Sequence, residues 1–97
     1  MKFVVALSGG VDSVVLLDTL VKSAKHSLVV AHFDHGIRPE SDADARFCLG
    51  LAQKYSLPFE SQREELGSGA SEAIARARRY DFLNEVAKRH DARIVTA

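Results

Sequence analysis

The sequence predicts an α/β domain in three layers, a parallel sheet with helices on both faces, and three observations carry that prediction. Short β-branched and apolar runs alternate with longer stretches of helical periodicity in the order β-α-β-α-β-α-β. The first run, Lys2 to Leu7, is apolar throughout after its lysine and leads to Gly9-Gly10, the form of a strand buried on both faces. Right-handed crossovers between successive strands then make the sheet parallel, and ligands of such sheets bind outside the carboxyl ends of the strands, where the strand order reverses.

Each element has its own justification. Val11 to about Ala24 reads as a helix: Val14, Leu17, Val21 and Ala24 recur at helical spacing, and Lys22 and Lys25 at its end complement the helix dipole. Ser27 to Phe33 is the second strand. Pro39 to Asp44 brings a proline and several acidic or capping side chains to the start of a second helix, with Ala45, Cys48, Ala52 and Tyr55 on one face. Leu57-Pro58 ends it. Pro58 to about Gln62 is a weaker strand, and a proline at its start suits a sheet edge. Gly67 to Ser71 is a flexible connector, and Ser71 is positioned as the N-cap of a third helix reaching roughly Arg89. Arg93 to Ala97 begins a fourth strand. The chain stops there, so one wall of the crevice is expected to be absent and the domain to be truncated.

Composition narrows the classes of function. Ninety-seven residues, 46% of them hydrophobic, suffice for one core and not for two domains. Thirteen basic against thirteen acidic side chains give zero formal net charge, which excludes a polyanion binder held by bulk electrostatics. A nucleic-acid partner must be engaged by a local patch. The apolar runs fall far short of the ~20 residues that cross a bilayer, and the opening run is too short for a signal-peptide core. No membrane partner and a cytoplasmic location are therefore expected. The single cysteine, Cys48, can form neither an internal disulfide nor a Cys-x-x-Cys site, which agrees with a reducing compartment.

The most informative segment is Ser8-Gly9-Gly10-Val11-Asp12-Ser13, at a strand end and running directly into a helix. Two glycines let the backbone turn tightly and leave no Cβ in the way of a phosphate, while the N–H groups at the helix start point outward as anion donors. Ser8 and Ser13 can add hydroxyls, so the whole suits a pyrophosphate. No lysine follows the glycines, which excludes a Walker loop, and the spacing is not Gly-x-Gly-x-x-Gly. A nucleophile elbow would need glycine where Ala6 stands. Asp12 would be repelled by bound phosphates unless it contacts a Mg²⁺ that neutralises both, or orients another group.

Two later motifs accompany the loop. His32-Phe33-Asp34-His35-Gly36-Ile37-Arg38, followed by Glu40-Ser41, lies at the end of the second strand. Backbone around His32 and Phe33 suits a purine, and Arg38 suits a phosphate or a substrate oxyanion. A metal site from His32, Asp34 and His35 competes with that reading, although His32 and His35 diverge unless the chain bends, as does an ordinary polar strand-to-helix loop. His26 and His90 lie outside any motif. On the third helix, Glu72, Arg76, Arg79 and Tyr80 form one polar stripe, with Ala75 inside the motif and Arg78 projecting elsewhere. Taken alone the stripe is a solvated ion pair worth about 0.2–0.5 kcal/mol. Arg76 and Arg79 nevertheless repel unless something anionic lies between or above them.

The hexapeptide resembles the pyrophosphate-binding loop of the PP-loop ATP pyrophosphatase superfamily. Within it, His32 to Arg38 is similar to the His-x-Asn-His-Gly-Leu-Arg signature of the tRNA(Ile)-lysidine synthetases, with Asp34 for Asn and Ile37 for Leu. Glu72-x-x-Ala-Arg-x-x-Arg-Tyr80 resembles a helix of the same family, and Ile94 to Ala97 resembles the start of its Thr-Ala-His-His-x-x-Asp-Asp segment. The resemblance implies an adenine nucleotide α-hydrolase-like, Rossmann-like sheet with strand order 3-2-1-4, residues 1–97 forming the first part of the adenylation domain. It implies a ligase in which ATP adenylates the C2 oxygen of the wobble cytidine of tRNA(Ile) and free lysine then displaces AMP, the isolated fragment being inactive. Ser8, Gly9, Gly10, Val11, Asp12, Ser13, His32, Phe33 and Arg38 would bind the nucleotide, with Mg²⁺ on Asp12. Asp12 and Arg76 would serve catalysis, and His35 and Arg79 would meet substrate. Oligomeric state stays open, a homodimer included. The alternatives are a sulfur-inserting tRNA-modifying enzyme of the superfamily, which would rely on catalytic cysteines, and a nucleotide-binding fragment without catalysis.

Overall fold

Side chains along a strand alternate between the two faces of a sheet, and in this chain both sets are apolar, so both faces must be covered. The computed structural model describes residues 1–23, 25–34, 41–65, 69 and 71–97. Ala24, the His35 to Glu40 segment that includes Arg38 and the Pro39 helix start, residue 66, and residues 67, 68 and 70 of the expected connector lie outside the described residues. The elements are β1 (Lys2–Ala6), α1 (Val11–Ser23), β2 (Ser27–Asp34), α2 (Ser41–Lys54), β3 (Phe59–Arg63), α3 (Glu72–His90) and β4 (Arg93–Val95). The strands form one parallel sheet in the order β3-β2-β1-β4. Strand order, parallel sense and the three-layer arrangement are those expected.

Two cores flank the sheet. Val4, Val29, Ala31 and Phe33 meet Phe82, Leu83 and Val86 of α3 on one face. Val5, Leu28 and Val30, with Leu7 just past β1, meet Leu17 of α1 and Cys48 and Ala52 of α2 on the other. Burying each large apolar side chain contributes about 1.5–3 kcal/mol, so the two central strands and the inner faces of the helices carry most of the stability. β3 lies at the edge, and its residues Ser61 to Arg63 are exposed, in keeping with Pro58 at its start.

Helix ends follow local chemistry. Ser71 caps α3 as expected, its hydroxyl accepting from the Ile74 N–H at 3.2 Å. The C-terminus uses Asp91 in the left-handed region, with the Asp91 and Ala92 N–H groups bonded to carbonyls of the last turn. α2 ends in the same way at Ser56. Neither position carries the glycine that would have announced it in the sequence. α1 and α2 are tied by Asp18, which accepts from the Tyr55 hydroxyl at 3.1 Å and pairs with Lys22 at 2.9 Å.

The edge strand is held to the end of α3 by Glu60, whose carboxylate accepts from Arg89 at 2.8 Å and from His90 Nε2 at 2.6 Å. The Arg89 guanidinium first, and then His90, hold the Glu60 carboxyl below its ordinary value. A carboxyl depressed in the folded state contributes stability above its unfolded pKa and loses it as pH falls through the folded value. In urea unfolding followed across pH, Glu60→Gln should be less stable than the parent above about pH 5, with the difference shrinking towards acid pH. The group is partly solvated, so the difference should stay modest.

Candidate functional site

Parallel pairing brings the carboxyl ends of β1, β2 and β4 to one edge, and the loop from Leu7 to Gly10 rises there before α1 begins. Gly9 has φ +92°, a conformation that side-chain-bearing residues rarely adopt, and a Cβ at that position would lie 3.4 Å from Asp44 Oδ1. Serine hydroxyls hold the turn from within. Ser13 Oγ accepts from the Ser8 N–H at 3.2 Å and donates to the Gly10 carbonyl at 2.9 Å, and Ser8 Oγ accepts from the Gly10 N–H at 3.2 Å. The single proton of Ser13 is thereby committed, so the 3.2 Å contact between the two hydroxyls is a donation from Ser8. Ser13 is buried and organises the loop; Ser8 is exposed at its mouth.

Four loop amides remain. The N–H groups of Gly9, Val11, Asp12 and Ser13 have no acceptor among the described residues, and those at the start of α1 lie at the positive end of its dipole. Val11, Asp12 and Ser13, with Ser8 and Gly10, line a crevice of about 300 Å³ to which Arg79 and Thr96 also contribute. A second crevice of about 120 Å³ adjoins it on the β2 side, walled by Leu7, Ser8, His32, Phe33, Asp44 and Arg79. Ala6, Ser8 and Arg79 are common to both.

Of the sequence-predicted residues, the fold thus brings Ser8, Gly10, Val11, Asp12, Ser13, His32, Phe33 and Arg79 onto the crevice walls, with Gly9 at the turn. Arg76 is exposed and lines neither crevice. Both guanidinium groups lie 5.3 Å from the Tyr80 ring centroid, so the ring stands against both charges. Glu72 and Arg76 form no ion pair among the described residues, and Arg78 turns away to Glu64 at 3.7 Å. Arg79 Nε is closed off from solvent without an acceptor among the described residues. His35 and Arg38 lie outside the described residues.

Asp44 was missed by sequence reasoning. Four residues before buried Cys48, it shares that residue's face of α2, which is the signal that marks it. Cys48 is fully buried, and desolvation, with a smaller push from Asp44, raises its thiol to about 11. Its Sγ lies 3.7 Å from the Leu7 carbonyl and 3.6 Å from His32 Nδ1. Such a thiol stays protonated and is a poor nucleophile. Among the described residues no group of three or more His, Cys, Asp or Glu side chains is arranged to hold a metal by itself. The competing His32, Asp34 and His35 metal site includes a residue outside the described set.

A family model for the PP-loop domain matches residues 1–97. The chain is 46% identical over 98 residues to a tRNA(Ile)-lysidine synthase of Thermus thermophilus, covering 95% of this chain and 19% of that protein. A tRNA(Ile)-lysidine synthase of Geobacter sulfurreducens is 43% identical, with 97% and 22% covered. The chain spans about a fifth of the length of these relatives. Among solved structures, the U34-tRNA thiolase NcsA from Methanococcus maripaludis, determined with its [4Fe-4S] cluster, superposes with a TM-score of 0.84 at 17% identity. That match covers 99% of this chain and 37% of the thiolase, and it reflects a shared fold.

The backbone at Gly9 makes Gly9→Ala a direct test of the turn. A left-handed residue bearing a side chain costs about 1–3 kcal/mol, so the variant should unfold at a correspondingly lower urea concentration. Cys48 should react with a thiol-alkylating reagent at pH 8 far more slowly in the native protein than in urea, as followed by mass spectrometry.

Proposed function

The chain belongs to the PP-loop domain family, and on that premise we propose that it is the nucleotide-activating, N-terminal portion of a tRNA(Ile)-lysidine synthase acting in the cytoplasm. The observation that carries the reading is the set of amides at Gly9, Val11, Asp12 and Ser13 without acceptors among the described residues, in a loop that lines a crevice at the carboxyl edge of the sheet. These donors suit the pyrophosphate end of ATP, with the adenosine towards His32 and Phe33 in the smaller crevice.

In the proposed reaction the C2 oxygen of the wobble cytidine attacks the α-phosphorus, the bond to pyrophosphate breaks, and the base becomes an adenylate. The lysine amine then attacks C2 and AMP leaves. An amide-like oxygen is a poor leaving group and AMP a good one, so the site's task is alignment and stabilisation of charge that grows on the departing pyrophosphate. The loop amides supply fixed donors for that charge. Arg79 reaches both crevices, and we assign it to the α-phosphate between them. Exposed Arg76, beside the Tyr80 ring, is assigned to an RNA phosphate.

Mg²⁺ is held typically by one or two carboxylates with substrate phosphates supplying further oxygens, and exposed Asp12 on the crevice wall fits that donor set. When bound, the ion would offset phosphate charge that otherwise repels Asp12. A sulfur-inserting reaction of the kind named for the thiolase would call on a reactive cysteine. Cys48, buried with its thiol raised to about 11, does not suit that role.

Calorimetric titration of the chain with ATP and Mg²⁺ tests the reading. ATP should bind, Asp12→Asn should weaken the Mg²⁺ dependence, and Arg79→Ala should lower affinity by about tenfold or more, the scale of a charge-assisted hydrogen bond. Arg76→Ala should leave ATP affinity within about twofold. Absence of ATP binding to the folded parent would overturn the proposal.

A further inference from the structure

The β1–β2 ladder ends one bond early, and a side chain takes the place of the missing donor. Odd-numbered residues of β2 face β1: the Ser27 N–H bonds to the Met1 carbonyl, and the Leu7 N–H bonds to the Ala31 carbonyl at 2.9 Å. The next rung would run from the Phe33 N–H to the Leu7 carbonyl. That bond is not made among the described residues. Instead His32 Nδ1 lies 2.8 Å from the Leu7 carbonyl oxygen. A carbonyl only accepts, so Nδ1 carries the proton and donates. The ring is buried, with Cys48 Sγ 3.7 Å from the same oxygen, and Nε2 is enclosed without a partner among the described residues.

We propose that His32 is a positioning residue which, by capping the Leu7 carbonyl, keeps the tips of β1 and β2 from zipping together and so leaves the Phe33 N–H as a donor to the nucleoside part of the ligand. Three placements support this. Phe33 and Leu7 both line the smaller crevice. The Phe33 ring is anchored on the opposite face against Phe82, with centroids 6.0 Å apart, so its backbone cannot swivel freely. The early end of the ladder coincides with the start of the glycine loop, so the same hydrogen bond sets the direction in which Ser8 leaves the sheet. An unpaired strand N–H facing a crevice suits a ring-nitrogen acceptor such as purine N1. Adenine presents a lone pair there, whereas hypoxanthine presents an N–H.

The nucleoside part of this inference rests on the ATP reading above, while its backbone part does not, and one set of variants separates them. In His32→Asn the side-chain amide nitrogen can stand where Nδ1 stands, whereas His32→Phe keeps bulk and loses the donor. Amide hydrogen exchange should show Phe33 slowing markedly in His32→Phe as its N–H closes on Leu7, and remaining near the parent rate in His32→Asn. ATP affinity should fall about tenfold in His32→Phe and recover to within about threefold in His32→Asn, and the parent should prefer ATP over inosine triphosphate by about tenfold, a preference lost in His32→Phe. Nitrogen NMR of the parent should find the proton of His32 on Nδ1, a readout that needs no variant to fold. A proton on Nε2, or unchanged Phe33 exchange in His32→Phe, would overturn the capping role. If the parent binds no ATP while the exchange pattern appears as expected, the nucleotide reading fails and the ladder device stands. If ATP binds but the parent does not distinguish it from inosine triphosphate, the assignment of Phe33 to the base is overturned.

Discussion

A backbone that leaves a sheet to start a helix must abandon its ladder before the helix can satisfy the first amides, and in this protein four of those amides have no acceptor among the described residues. Gly9 turns the chain with a positive φ, Ser13 and Ser8 use their hydroxyls on the Ser8 and Gly10 amides, and the Gly9, Val11, Asp12 and Ser13 N–H groups have no acceptor among the described residues. The surrounding structure serves this arrangement. Val4 and Val5 fix β1 in the middle of the sheet, Leu17 clamps α1 onto it, and the loop between them has little freedom to collapse onto its own donors.

Charge around the crevices is divided by function. Arg79 comes from α3 on the far face of the sheet and reaches the junction of the two crevices, while Asp12 and Asp44 stand on the loop side. On the proposed reading, a ligand carrying several negative charges would meet amides and a guanidinium together, with a carboxylate nearby for a shared cation. Cys48 shows the opposite treatment. Its thiol is removed from water, raised to about 11 and turned towards the Leu7 carbonyl, so it supports the loop as packing. The thiolase resemblance, at 17% identity, therefore concerns the path of the chain.

Much of this was legible in the residues. The apolar runs at Phe3 to Leu7 and Leu28 to Ala31 announced strands covered on both sides, Ser71 announced the start of α3, and Gly9-Gly10 announced the turn. The helix ends at Ser56 and Asp91 were not announced by a glycine, because both non-glycine residues take the left-handed conformation with the last-turn carbonyls satisfied locally. The arginine stripe was legible as a stripe. Which arginine lines the crevices was not, since Arg76 and Arg79 differ by less than one helical turn and only the packed position of α3 brings Arg79 to them.

Local patterning by itself determined the order and kind of the elements, the chemistry of the loop and the inward face of each helix, because periodicity and turn residues act over a few neighbouring positions. Tertiary structure alone decided that Asp44 approaches Gly9, that Arg79 reaches both crevices, and that His32 takes the Leu7 carbonyl 25 residues away. Those contacts join segments distant in sequence, and their geometry depends on strand register and helix placement, which no single stretch of chain encodes.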